Sequence, residues 1–333
     1  MVTPLIPNLI SLVIPAYNEE KNLVVLVEQL RAVMQSSLNS YEILIIDDGS
    51  IDNTKEVLKR LSHTFNEVRF ISFSRNFGHQ AALRAGYDHA RGDCAISLDA
   101  DLQHPPELIP TLIKKWREGF DVVYTTRTPD PNLPWSKRFT SRNFYKFLRA
   151  TSGLELEEGA ADFRLLDRKV LNVLKQFKET DLFLRGMISW MGFRQCRIAY
   201  KPGSRFAGTT KYSFRKMLQL AIMGITSFTS KPLYLSVAMG FMMSLFATLT
   251  GLEVLYEYFF TKATVSGWTT LVVLTVFIGG AQFIVIGIMG VYLGKTFDEV
   301  KRRPPYIIGD TSEIEEVSIW QSLPHETYSS QLM

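Results

Sequence analysis

The chain has 333 residues, 46% of them hydrophobic, and its 37 Lys and Arg against 33 Asp and Glu give a net charge of +4. That length accommodates one soluble domain of about 200 to 250 residues and an addition. Its two cysteines, Cys94 and Cys196, lie far apart with no CxxC and no neighbouring histidine, which argues against a zinc site and for buried free thiols.

The opening stretch, MVTPLIPNLISLVIPAYNEE, has no basic residue ahead of its apolar run and lacks the form of a secretory signal, so residues 1–212 are expected to stay cytoplasmic. Short β-rich apolar runs lie at Leu9–Ile14, Glu42–Ile46, Val68–Phe73, Ala95–Leu98 and Val122–Thr125. Between the first two, Leu23, Val24, Leu26, Val27, Leu30, Val33 and Met34 keep a helical period. The alternation predicts an α/β sheet of mostly parallel strands with helices on both faces. Ligands of such sheets bind beyond the carboxyl ends of the strands, where loops and helix N-termini converge.

Polar residues gather at those ends. PAYNEE (15–20) follows the first strand, Asp47-Asp48-Gly49-Ser50 the second, SRNFG (74–78) the third, Asp99-Ala100-Asp101 the fourth and Arg127 the fifth. One alone reads equally well as helix capping, as with Asp48 to Ser50 and Asp52. Five along one edge read as a site. Asp99 and Asp101, two positions apart at a strand end, point the same way and bring two anions together. Like charges so placed raise each other's pKa. A hard divalent cation with oxygen ligands removes the conflict and keeps positions open for substrate phosphates. Gln103 adds a neutral oxygen. His104 suits such an ion poorly and is expected in a structural or substrate-edge role, while Pro105, Pro106 and Glu107 lead into a helix. No P-loop and no dinucleotide fingerprint occurs, which leaves the metal as the phosphate handle.

Farther along, Phe214, Met217, Leu218, Ala221, Ile225 and Phe228 repeat at helical spacing while Arg215, Lys216 and Gln219 face elsewhere. The pattern predicts an amphipathic interfacial helix over 213–231; a helix packed on the soluble domain is the competing reading. Phe183–Phe193 is a second interfacial candidate, blurred by Asp181 and Arg185. No charge occurs over 20 positions at 233–252 or over 28 positions at 267–294. Helices there reach roughly 30 and 42 Å, enough for a hydrocarbon core of about 30 Å. Transmembrane helices are therefore placed at 232–260 and 267–295, against the alternative of two buried core helices. Arg215, Lys216 and Lys231 precede the first, Lys295 and Lys301 to Arg303 follow the second, and the connector Glu253–Ser266 holds two Glu and a single Lys, so both ends are predicted to face the cytoplasm. The uncharged spans read as anchors rather than a transport path. Gly279, Gly280, Gly287, Gly290 and Gly294 permit close helix packing. Residues 296–333 form a cytoplasmic tail, expected from Asp310 onward to be mobile or paired with a neighbour.

VIPAYNEE (13–20), IDDGS (46–50), RNFG (75–78), LDADLQHPPE (98–107), ADFR (161–164) and RFAGTTKY (205–212), in that order, resemble a family 2 glycosyltransferase of GT-A (Rossmann-like) fold. The resemblance is closest to its polyprenyl-phosphate branch, the GtrB-type bactoprenol-phosphate glucosyltransferases and dolichol-phosphate mannose synthases. It extends to the two C-terminal spans and KRRPPY (301–306). Thr209-Thr210 stands where relatives commonly have a serine before the Lys-Tyr pair. The resemblance implies that Pro15, Tyr17, Glu19, Asp47 and Asp48, with Asp99, hold the nucleotide sugar. It implies that Asp99, Asp101 and Gln103 hold Mg²⁺ or Mn²⁺ against the diphosphate, and that Arg205 and Lys211 lie on a loop closing over the phosphates. Arg127, Lys137, Arg138 and Ser141, with Arg142 nearby, are implied to meet the lipid phosphate; a solvated basic helix face is the plain alternative. Asp162 is the implied catalytic base. An acceptor phosphate with a second pKa of about 6 is already largely dianionic at pH 7, however, so Asp162 is read as orienting the acceptor or a sugar hydroxyl, or as a structural partner of Arg164.

The expected reaction is inverting transfer of a hexose, glucose from UDP-glucose, to undecaprenyl-type (bactoprenol) polyprenyl phosphate at the cytoplasmic face of the cell membrane. A homo-oligomer is expected, and no nucleic-acid partner. Mannose or a formamido-pentose on the same scaffold, and a catalytically silent membrane scaffold or nucleotide-sugar sensor, are the alternatives. A processive synthase is disfavoured by the lack of Gln-x-x-Arg-Trp and by only two spans.

Overall fold

The apolar runs form the centre of a single sheet. The computed structural model describes residues 9–36, 39–128, 159–179, 183–201, 229–256, 260 and 267–312. Its strands are β1 (Ile10–Ala16), β2 (Tyr41–Asp47), β3 (Val68–Phe73), β4 (Cys94–Ser97), β5 (Val122–Arg127), β6 (Ala160–Asp167), β7 (Gln195–Tyr200) and β8 (Ile308–Thr311), in the order β7-β5-β6-β4-β1-β2-β3-β8. Ile10, Leu12 and Ile14 of β1, with Ile43 and Ile45 of β2, join one core layer with α1 (Leu23–Gln35), α2 (Thr54–Thr64) and α4 (Ile109–Arg117). Val13, Leu44 and Ile46 face the other way, toward α3 (His79–His89), α5 (Arg168–Leu174) and α6 (Leu184–Trp190). Period-2 alternation thus feeds two cores, and β1 and β2 carry apolar residues on both faces.

The sheet is mixed. β1 pairs in parallel with β2 and β4, β2 with β3, and β5 with β7, whereas β6 runs antiparallel to both β4 and β5, and β8 antiparallel to β3. The expected parallel order therefore holds from β4 through β1 and β2 to β3. On the other core face α3 lies so close to β1 that a Cβ at Gly86 would overlap Val13 Cγ1. Cys94 is buried and Cys196 half-buried, both free.

Two sequence expectations are corrected. Phe183–Phe193 is no interfacial helix: within it α6 buries Leu184, Met187 and Ile188 against Val170, Leu171 and Leu174 of α5. The chain past the last long helix does not leave the domain at Asp310, because β8 adds an edge strand beside β3. Asp310 there accepts ion pairs from Lys55 (2.9 Å) and Lys59 (3.3 Å), and Tyr306 stacks on Phe73 at 5.2 Å. Residues after 312 lie outside the described residues.

α7 (Lys231–Tyr256) and α8 (Trp268–Lys301) are long and apolar enough to cross a membrane, over Lys231–Glu253 and Phe277–Lys301. Phe241, Leu245, Phe283 and Leu293 stand exposed, and almost nothing of either span is buried, which removes the reading of core helices. Exposed apolar surface on this scale belongs in lipid or against another chain. α8 continues past the predicted limit at 295 to Lys301, carrying Asp298 and Glu299 on its last turns. The interfacial helix expected at 213–231 lies almost wholly outside the described residues.

Candidate active site

The carboxyl edge of the sheet is built from loops that hold one another. Asn18, after β1, takes a positive φ of 59°. Its N–H donates to Ser50 Oγ (2.9 Å), and its Oδ1 accepts from Ile51 N (2.9 Å). Glu19 N donates to Thr54 Oγ1 (2.9 Å), and Glu20 Oε2 accepts from Asn53 N (3.2 Å). The loops after β1 and β2 are thereby stitched into one wall, from which Tyr17 projects 43% exposed. Pro15 is buried in β1, level with Ile46.

Asp47 and Asp48 face inward. Asp47 accepts from Ser50 N (3.0 Å) and Ser72 Oγ (2.5 Å), while Asp48 accepts from Phe77 N (2.7 Å) and Gly78 N (2.9 Å). Between them and the third loop Gly49, at φ +67°, passes so close that a Cβ would sit 2.7 Å from Asn76 N. These two acids brace the loops after β2 and β3 against each other. Burial raises the pKa of Asp48 despite the N–H groups of Phe77 and Gly78.

At the end of β4 the chain turns through Leu102, at φ 62°, and Asp101 Oδ1 accepts from Gln103 N (3.1 Å). Asp99 N donates to His104 Nδ1 (2.9 Å), which puts the proton of neutral His104 on Nε2, 3.6 Å from Asp99 Oδ2. His104 is buried, stacks on Phe163 at 5.2 Å and meets Tyr200 edge-on at 5.9 Å, and burial lowers its pKa. Of the two roles expected of it, structural or at the substrate edge, these contacts fit the structural one. Arg127, at the exposed end of β5, donates from Nε to the Tyr200 hydroxyl (3.3 Å), so it shares this edge. Glu19 faces the same space: burial raises its pKa, opposed by Asn22 and assisted by Asp101, Asp52 and Asp99.

Asp99 Oδ1 is buried with no hydrogen-bond partner. His79 Nε2 stands 3.7 Å from that oxygen, beyond hydrogen-bond reach, so its need for a cation is met only in part. Among the described residues no three His, Cys, Asp or Glu side chains converge as a metal cage. The side chains the sequence offers here, two carboxylates and an amide, are all oxygen donors, the type that suits a hard ion.

Two residues that the sequence did not mark as site residues, His79 and Arg185, complete the floor around the expected Asp162. Asp162, on β6, accepts from Arg185 Nε and Nη2 (both 2.9 Å), from Arg164 Nη2 (3.0 Å) and, at 3.4 Å, meets His79 Nε2. Burial works against ionising it, but Arg185, His79 and Arg164 prevail and hold its carboxyl well below the usual carboxylate range. His79 opens α3 and also stands 3.7 Å from Asp99 Oδ1, so it bridges the two acids. Burial lowers its pKa, yet Asp162 and Asp99 outweigh that and raise it. His79 follows the RNFG stretch directly, a position that could have marked it. Lys137, Arg138, Ser141, Arg205 and Lys211 lie outside the described residues.

The mixed sheet is of GT-A type, and its carboxyl edge gathers Asp99, Asp101, neutral His104 and the caged Asp162. Residues 11–174 match the sequence profile described as Glycosyl transferase family 2. An uncharacterized glycosyltransferase of Bacillus subtilis, YkcC, is 41% identical over 93% of this chain and 96% of its own. A prophage bactoprenol glucosyl transferase homolog of Escherichia coli is 38% identical over 90% of this chain and 98% of its own. The bactoprenol glucosyl transferase of Shigella phage SfII is 38% identical over 90% and 97%. The chain belongs to glycosyl transferase family 2, in its GtrB-type branch.

Proposed function

We propose that this glycosyltransferase moves a hexose, glucose from UDP-glucose, onto a polyprenyl phosphate of the undecaprenyl type at the cytoplasmic face of the membrane. The observation that carries the reading is the Asp99–Asp101 pair with its unpartnered buried oxygen, set in a chain with two helices of membrane-spanning length. Relatives named bactoprenol glucosyl transferase over nine-tenths of the chain support the acceptor.

Tyr17 offers an exposed face for the base, and the braced loops carrying Asp47, Asp48 and Glu19 shape the nucleoside pocket. Asp99, Asp101 and Gln103 would hold Mg²⁺ or Mn²⁺, which supplies Lewis-acid charge to the diphosphate. An acceptor phosphate oxygen forms a bond to the anomeric carbon as that carbon's bond to the diphosphate oxygen breaks, and nucleoside diphosphate leaves with inversion. Arg127, Lys137, Arg138 and Ser141 draw in the anionic acceptor; Arg205 and Lys211 cover the leaving group. No proton has to be taken. Asp162, caged by two arginines, is suited to orienting groups rather than to abstraction.

The test is transfer from a panel of labelled nucleotide sugars to undecaprenyl phosphate in detergent, with Mg²⁺ or Mn²⁺, with EDTA, and with Asp101→Ala. A lipid-linked product from UDP-glucose that disappears with EDTA and in the variant is expected. A product from another donor reassigns the sugar. Nucleotide binding without any transfer would make the chain a silent scaffold.

A further inference from the structure

A second charged cavity lies away from the Asp99 edge. About 780 Å³ in volume, it opens between the middle of α3, the chain just after α5 and the turn that ends α8. Five cations line it, Arg84, Lys175, Lys178, Arg302 and Arg303, against three carboxylates. One of those carboxylates, Asp88, is already taken up: it accepts from Arg84 Nε (2.9 Å) and from the Tyr306 hydroxyl (3.2 Å).

Arg84 is unusual among these cations. Only 6% exposed, it donates from Nε to Asp88 and from Nη2 to the carbonyls of Lys175 (3.3 Å) and Phe177 (3.1 Å), yet its buried Nη1 has no partner. A buried guanidinium fixed on two sides with a third donor unmet is prepared for an anion. Opposite it, Arg302 takes the left-handed cap of α8, φ 48° and ψ 38°, so that Arg302 and Arg303 follow directly where the second candidate span stops at Lys301. Neither arginine forms an ion pair among the described residues.

We propose that this cavity binds a phosphate-bearing anion, with Arg84 Nη1 as the buried donor and Arg302, Arg303, Lys175 and Lys178 as the surrounding charge. Two sources share that chemistry: the headgroup of an anionic membrane lipid, for which the end of a spanning helix is the natural place, and soluble phosphate. Nothing in the sugar-transfer reading uses these residues, so the site stands or falls apart from it.

The test uses the full chain in neutral detergent, followed by native mass spectrometry while short-chain phosphatidylglycerol, short-chain phosphatidylcholine or inorganic phosphate is titrated in. One phosphatidylglycerol retained in preference to phosphatidylcholine is expected, and R302Q/R303Q should weaken it on the order of tenfold. Phosphate competing at equal concentration would support the site and assign it to the soluble anion. R84K keeps the charge but lacks the forked donors, and should weaken binding while its melting transition shows that it folds; if it does not fold, R302Q/R303Q decides alone. Equal retention of both lipids with no effect of phosphate, or binding unchanged in R302Q/R303Q, overturns the proposal.

Discussion

Three cationic or protonatable side chains converge on Asp162, and that convergence limits what its carboxylate can do. With its folded pKa depressed, the stability that Asp162 contributes is present above the ordinary carboxylate value and is lost only as pH falls through the lower folded value. Sugar transfer should therefore show no ionisation limb from Asp162 between pH 5 and 8; a limb there that vanishes in Asp162→Asn would restore the role of base. Removing Arg185 leaves the buried acid to Arg164 and His79. Because the Arg185 side chain is 35% exposed, Arg185→Met should cost about 1–2 kcal/mol, less than the 3–5 of a fully buried pair, read as a lower urea midpoint. At this scale Asp99 and Asp101 were legible as polar residues closing an apolar run, but not by strand alternation: β4 ends at Ser97, and both acids lie in the turn beyond it. His79 and Arg185 were not, since they meet Asp162 across 83 and 23 positions of sequence, and no local period encodes such a meeting.

Elements repeat the lesson. β1 to β5 announce themselves as apolar runs, because a strand buried on both faces has no polar side to interrupt it. β6 buries Asp162 and Arg164 within its own span, so its sequence reads as a site motif before it reads as a strand. β8 has four residues, one a glycine, and is held by Phe70 and Phe73 of its neighbour and by Lys55 and Lys59, none of them near in sequence. Two substitutions test these packings. Gly86→Ala brings a methyl into Val13, and its overlap cost of about 1–3 kcal/mol should exceed the gain of roughly 1 kcal/mol in helix propensity, seen as a lower melting temperature. Asp310→Asn loses half-exposed ion pairs worth about 0.5–1 kcal/mol, and should speed amide exchange in β3. The Lys55 hydrogen bond, with Lys59, lowers the Asp310 pKa, so this contribution is complete above the ordinary carboxylate value and fades as pH falls through the folded one. Acid should loosen the β3 edge in the wild type and have less effect in the variant.

At the scale of the whole molecule, β7 precedes the two long helices and β8 follows them, yet both belong to one sheet. Helices inserted between strands of one sheet must leave and return on the same side of a bilayer. The charge pattern of the sequence predicts which side that is, the cytoplasm. In a Cys196→Ser background, a cysteine at Ser266 should react with an impermeant thiol reagent on intact cells, and one at exposed Asn66 only after permeabilisation; the reverse would place the catalytic edge outside. The same arrangement sets an order of synthesis. β8 leaves the ribosome more than a hundred residues after β7, so at about 5–20 residues per second the β3 edge waits on the order of 5–20 s for its last strand. During that interval the nascent sheet offers an unpaired edge to any other extended chain, and the strand that closes it arrives only after both long helices have been made.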